Sequence, residues 1–366
     1  MRRLLSRRLP AALPGLMGVV LALLGTPRAE GASAVLTKSG TLYEVFQAPY
    51  GQIITGANSS DAKLSVLALR TTLPGSQPTV EVVGGTVDDL VKFGEQLEFD
   101  ETTQTVFVVY TKLQGFFLDV HVAMHRSGAW NEGRFLPNPG LYVSLNPQLL
   151  VTRQSYMGLD TQGNPVAKSR AILSIVWWEE SDTSQARYAA VFIEDGSLRL
   201  DDVTTWNLNE LNGASGPTDN SGLPVSSYVH PAVQRDPLTN GGVLLSFANL
   251  ATRTHQVMRL SFPTDNPTGT TSGPPSGSGR TPYSRHNPIG RSFTEFPLPI
   301  EIQLPSYQDA VGTLISPSGI PTFYWTSDNG LVYLQGGSTT TLTIPFRPDF
   351  LIDRALAVVR DMSDKE

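Results

Sequence analysis

The sequence predicts an all-β protein: a β-propeller of about five blades, six possible, followed by a short C-terminal helix. Three observations carry this. Short runs of Val, Ile, Leu, Thr and aromatic residues are cut at close intervals by 33 glycines and 27 prolines, and helical periodicity is nearly absent. One unit recurs along the chain: a strand, a polar turn, an apolar strand ending in an aromatic, then a third strand. Trp177 and Trp178 are neighbours on one apolar run, so they point to opposite faces of a sheet. Both are sheltered only where the sheet is covered on both sides, as a blade is and a sheet of a two-layer sandwich is not.

The first element is a leader. Arg2, Arg3, Arg7 and Arg8 precede an apolar run from Gly15 to Leu24, and Ala32-Ser33-Ala34 gives a small-x-small end, the pattern of a secretory signal over residues 1–34. The run is about half the roughly 20 residues that a membrane span needs. No later stretch approaches a span, so the mature chain is expected to be secreted or periplasmic. The leader holds five arginines and one glutamate, so its removal moves the formal charge from −6 to about −10. Without a basic stripe, nucleic acid is not an expected partner. The chain has no cysteine, which excludes disulfides, thiol catalysis and thiolate metal sites. A mature length of about 332 residues buries a large core without covalent staples.

Residues 35–346 then read as the propeller domain. A first, weaker copy of the unit occupies Leu42–Val83, with Ile53–Ile54, Lys63–Leu69 and Thr79–Val83 as strands. The second runs from Gln96–Phe99 through Asp100-Glu101-Thr102 to Val106–Tyr110 and Leu118–Met124. Its successor has Gln148–Thr152, the turn Asp160-Thr161-Gln162-Gly163, Ile172–Trp178 and Tyr188–Ile193. The fourth has Ala232–Gln234, Asp236-Pro237, Val243–Phe247 and Gln256–Phe262. The fifth has Ala310–Ile315, Ser316-Pro317-Ser318-Gly319, Thr322–Trp325 and Leu331–Leu334. Two insertions, Asn207–Ser227 and Thr264–Asn287, interrupt the spacing; the second is rich in Gly, Pro, Ser and Thr and reads as a mobile loop. In the tail, 347–366, Leu351, Ala355, Val358 and Met362 follow Pro348 at helical spacing.

This order of strands and turns, across about residues 40–345, resembles the sialidase-like propellers with bacterial neuraminidase repeats. Arg126-Ser127-Gly128-Ala129-Trp130 is a shortened form of their S-x-D-x-G-x-T-W repeat, and Glu194-Asp195-Gly196-Ser197 a fainter one. The chain has no Arg-Ile-Pro, so the resemblance implies the architecture and carries over no catalytic residue.

A propeller binds its ligand at the start of each blade's first strand and in the loops after its second. That face would receive Tyr110, Trp178, Glu180, His230, Tyr307, Asp309 and Trp325, aromatic and polar groups suited to sugar stacking and hydroxyl recognition. The expected function is non-catalytic recognition of a glycan or protein partner. The alternatives are a glycoside hydrolase or lyase using carboxylates such as Glu180 and Asp309, and a structural subunit of an envelope assembly. No metal and no cofactor is expected. Asp119, His121 and His125 share one strand face but read as solvated polar groups, and Glu194-Asp195 and Asp201-Asp202 lack calcium-loop spacing and read as surface acids. No phosphate loop, nucleophile elbow or zinc-protease helix occurs.

Overall fold

The computed structural model describes residues 33–53, 65–85, 92–114, 117–135, 143–180, 185–194, 196–200, 203, 205–207, 228–236, 238–249, 254–264, 288, 290–297, 312–315, 321–327, 330–335 and 338–342. Residues 1–32, 265–287 and 343–366, on which the expected leader, mobile loop and C-terminal helix fall, lie outside them.

The chain is a succession of antiparallel four-stranded meanders, the blade unit of a β-propeller. The first comprises β1 (Ser33–Leu36), β2 (Leu42–Pro49), β3 (Ser65–Thr72) and β4 (Thr79–Val82). Ser33 and Ala34, the last residues of the expected leader, pair with Val45 and Glu44 in it. The second comprises β5 (Lys92–Asp100), β6 (Thr105–Gln114), β7 (Phe117–Arg126) and β8 (Ala129–Arg134). The third comprises β9 (Val143–Leu159), β10 (Pro165–Glu180), β11 (Gln185–Ile193) and β12 (Trp206–Asn207). One parallel pairing, Leu118 with Val143, joins the second and third into a continuous sheet. The fourth is β13 (Tyr228–Arg235), β14 (Val243–Asn249), β15 (Thr254–Ser261) and β16 (Gly290–Pro297). The last is β17 (Gly312–Ile315), β18 (Pro321–Ser327), β19 (Gly330–Gln335) and β20 (Ser338–Leu342).

The first strands lie against one another in series: β1 beside β5, β5 beside β9, β9 beside β13 and β13 beside β17. Between successive meanders sit the hydrophobic cores. Leu67, Leu69, Val106, Val108 and Leu97 fill the space between the first two. Phe107, Val109 and Val122 meet Leu173, Ile175 and Trp177 between the second and third. Ile172, Val176 and Tyr188 meet Val243, Leu245 and Met258 between the third and fourth. Strand β10 therefore buries odd residues on one side and even ones on the other, which explains a run from Ala171 to Trp177 that is apolar but for Ser174, itself bonded to the Tyr188 hydroxyl. Trp177 stacks on Phe135 with ring centres 5.3 Å apart. Removing a tryptophan from water contributes roughly 4–6 kcal/mol before entropy is counted.

The polar turns lock neighbouring meanders together. Each follows a first strand, and its leading side chain caps its own loop. Thr37 Oγ1 accepts from the Thr41 amide at 3.0 Å, and Asp100 Oδ1 from that of Thr102 at 3.2 Å. Asp160 Oδ1 accepts from Gln162 and Asn164 at 2.8 Å, and Asp236 Oδ1 from Leu238 at 3.0 Å. These are the local bonds that make Asp and Thr turn formers. The same turns reach onward. Glu101 accepts from the Lys38 amide at 2.7 Å, and Arg153 of β9 pairs with Asp100. Asn240 and Ser155 bond reciprocally, at 2.8 and 3.1 Å.

Two strand readings change. Tyr50–Ile53 forms a single helical turn, α1, where Ile53–Ile54 had the composition of a strand. β9 and β10 also run well beyond their expected lengths. Ser155–Leu159 and Pro165–Ser169 pair only with each other in the sheet, a two-stranded ribbon whose residues 160–169 are exposed.

Candidate functional site

Three adjacent strands of the second meander turn a polar stripe toward the first. Register sets it: Tyr110 lies opposite His121, Lys112 opposite Asp119, and His121 opposite Arg134. Strand alternation sends Val120, Val122 and Met124 the other way, into the core shared with the third meander. Lys92 and Glu95 of β5 and Gln47 of β2 extend the seam, with Gln47 Nε2 donating to the Lys92 carbonyl at 2.7 Å. Lys92 Nζ sits 5.7 Å from the centre of the Tyr110 ring.

Glu132, on β8, is the hub. Its Oε1 accepts from the Tyr110 hydroxyl at 2.7 Å and from His121 Nδ1 at 2.8 Å, and Lys112 Nζ lies 3.7 Å away. Burial alone would raise the Glu132 pKa, but the bonds from His121 and Tyr110 and the Lys112 charge bring it down to about 2. Gly84, at φ +82°, lies against this carboxylate: a Cβ there would come within 2.6 Å of Glu132 Oε2, so a side chain would be strained by the backbone and would push the carboxylate aside. The Tyr110 and His121 rings stack at 5.6 Å, which fixes the imidazole plane.

Glu95 is in the opposite state. Burial pushes its pKa up to about 7, against weaker opposing pulls from its own backbone N–H and from Gln47, neither of which reaches hydrogen-bond geometry. Asp119 is also raised by burial, partly offset by His121 and by Arg134, whose Nη1 is 3.8 Å from Oδ2. Near neutral pH the seam thus holds one firmly ionised glutamate and one that exchanges its proton.

Among the described residues, four buried polar atoms of the seam have no hydrogen-bond partner: both carboxylate oxygens of Glu95, Oδ1 of Asp119 and Nε2 of His121. With Nδ1–H given to Glu132, Nε2 of a neutral His121 is an acceptor. The seam opens outward: the side chains of Asp119 and His121 are 4 and 7% exposed, those of Glu132 and Arg134 22 and 45%. No group of three His, Asp or Glu side chains able to hold a metal ion occurs among the described residues.

The face carrying Asp119, His121 and His125 is therefore covered by the first meander, not solvated. His125 Nε2 lies 3.4 Å from Glu81 of β4, which also accepts from the Trp130 indole at 3.1 Å. Glu194, read as a surface acid, accepts from buried Arg170 at 2.7 Å.

Of the residues expected on the binding face, Tyr110 is wholly buried within this seam. Trp178 and Glu180 lie at the end of β10, paired through the backbone with Leu145 and Val143. His230 is on β13 within a register shift between Val229 and Ala232, and Trp325 is on β18 opposite Val332. Tyr307 and Asp309 lie outside the described residues. Lys92, Glu95, Lys112, Glu132 and Arg134 were not singled out from the sequence. The signal was present as alternating polar positions on three consecutive strands, Tyr110 and Lys112, Asp119 and His121, Glu132 and Arg134.

No protein-family model matches the chain, and no curated protein matches its sequence. Among solved structures it is similar to a triple arginine-to-alanine mutant of AofleA from Arthrobotrys oligospora, with TM-score 0.40 and 11% identity over 87% of this chain and 73% of that one. An endo-arabinase from Bacteroides thetaiotaomicron gives TM-score 0.35 and 13% identity over 87% and 95% of the two chains. An exo-beta-1,3-galactanase from Clostridium thermocellum gives 0.32 and 11% over 88% and 66%.

Proposed function

We propose that the chain is an exported β-propeller that recognises a glycan through the seam between its first two meanders. One observation carries this reading: Glu95, Asp119 and His121 present buried polar atoms that no described residue satisfies. Native proteins pair the great majority of such atoms, because an unmet one costs about 1–3 kcal/mol. A hydroxyl-rich ligand entering past Glu132 and Arg134 supplies the missing bonds. The test is a glycan array with the purified chain, followed by titration calorimetry on any hit. Asp119→Ala and His121→Ala are expected to weaken binding by tenfold or more. Failure to bind any glycan, or affinity unchanged in both variants, overturns the proposal.

The seam also favours a second reading. Glycoside cleavage uses one protonated and one ionised carboxyl group, the states that Glu95 and Glu132 hold near neutral pH. Release of reducing sugar that is abolished in Glu95→Gln supports hydrolysis; binding without turnover rules it out.

A further inference from the structure

Within the seam, the donors with assigned bonds are already spent. The Tyr110 hydroxyl and His121 Nδ1 both serve Glu132, and Gln47 Nε2 serves the Lys92 carbonyl. The Lys112 ammonium lies 3.7 Å from Glu132 and the Arg134 guanidinium 3.8 Å from Asp119 Oδ2, and both make further interactions. The buried atoms of the seam left without a bond among the described residues are Asp119 Oδ1, His121 Nε2 and the two Glu95 oxygens. An ionised Asp119 or Glu95 oxygen only accepts, whereas His121 Nε2, with Nδ1–H given to Glu132, accepts in a neutral ring and donates in a charged one. Asp119 and His121 are two residues apart on β7 and share its covered face, so their open atoms lie on the same side of the sheet, with both residues at most 5% exposed.

We infer that the ligand of this seam is a neutral, hydroxyl-presenting saccharide, and that sugars bearing a carboxylate are rejected. This rests on the glycan reading proposed above and adds the class of sugar. A hydroxyl group donates to each open acceptor and brings no charge. A sugar carboxylate brings only acceptors, and sets its charge against the buried Asp119 carboxylate. Like charges brought together in a recess with little water repel strongly, so discrimination comes from the wrong ligand's penalty as much as from the right ligand's bonds. The site thus selects against acidic sugars.

The experiment compares neutral oligosaccharides with their uronate and sialylated counterparts by titration calorimetry at pH 7, using the full chain. The neutral member of each pair is expected to bind at least about tenfold more tightly. Asp119→Asn, which removes the charge and adds an N–H donor, is expected to shrink that ratio several-fold by letting the acidic member in. Equal or tighter binding of acidic members to the unaltered chain overturns the inference while leaving glycan recognition intact. A ratio unmoved by Asp119→Asn in a variant with unchanged circular dichroism removes the selectivity from this seam. If no member of any pair binds, the glycan reading itself falls. Should Asp119→Asn fail to fold, the comparison on the unaltered chain still decides.

Discussion

Glu95→Gln keeps the shape of a buried side chain and removes its titration, which makes it a direct probe of the seam. In the folded protein the Glu95 pKa is raised from 4.5 to about 7. Below pH 4.5 the carboxyl group is protonated in folded and unfolded chains alike and favours neither. Between 4.5 and 7 only the unfolded chain releases the proton, so stability falls as pH rises. Above 7 the loss levels off at roughly 3 kcal/mol, from about 1.4 kcal/mol for each unit of pKa difference. The glutamine carries no such term. Urea denaturation of both proteins at pH 4.5 and pH 8 reads the difference, because the midpoint tracks stability when the slope is unchanged. The variant is expected to match the parent at pH 4.5 and to exceed it by up to about 3 kcal/mol at pH 8. Parallel curves across that range, or a variant weaker at pH 8, refute the account of Glu95 as a desolvated, unpartnered acid.

Glu132→Gln should behave with the opposite sign. Its pKa is depressed to about 2, so the stabilisation is present above 4.5 and is lost as pH falls toward 2; allowing for partial exposure, about 1–2 kcal/mol should disappear at pH 7 in chemical denaturation. Arg170, whose side chain is fully buried over Phe192 and bonded to Gln154 and Glu194, should cost about 3–5 kcal/mol when changed to Met, and a double-mutant cycle with Glu194→Gln should show strong coupling. Trp177→Ala leaves a cavity beside Phe135 and should cost about 3–5 kcal/mol by denaturant titration. Asp100→Ala breaks a turn cap together with the Arg153 pair and should cost about 1–3 kcal/mol, read by thermal unfolding.

Much of the fold could be read from the chain because a blade's middle strands are covered on both sides. Ile172–Trp177 and Val106–Tyr110 are buried on both faces and so are almost wholly apolar, and such runs stand out. Asp100, Asp160 and Asp236 were legible for another reason: capping a tight turn is local chemistry. Apart from Thr79–Val82, the fourth strands were not. Ala129–Arg134 alternates exposed and half-buried residues, Trp206–Asn207 is two residues long, and Ser338–Leu342 is mostly Thr. Outer strands with little apolar surface look like loops. At Ile53, β-branched composition pointed to a strand, yet the chain after Pro49 makes one helical turn. The seam was hidden for a topological reason. An alternating strand such as Leu118–Met124 says that its two faces differ, but not that a neighbouring meander covers the polar one. Asp119 and His121 could be placed on one face, while the seam around them is completed by Gln47 beside Lys92 and Gly84 beside Glu132, contacts more than 40 positions apart in the chain.

The overhang where β9 and β10 leave the rest of the sheet has a practical meaning. Between Leu159 and Pro165 the backbone turns over a self-capped Asp160, and Met157 donates to the Thr264 carbonyl at 2.8 Å near its base. An epitope spliced in after Gln162, or a protease nick there, leaves the packed layers untouched. That tip is the natural handle for tethering the molecule to a sensor chip, with the seam left free to meet its ligand.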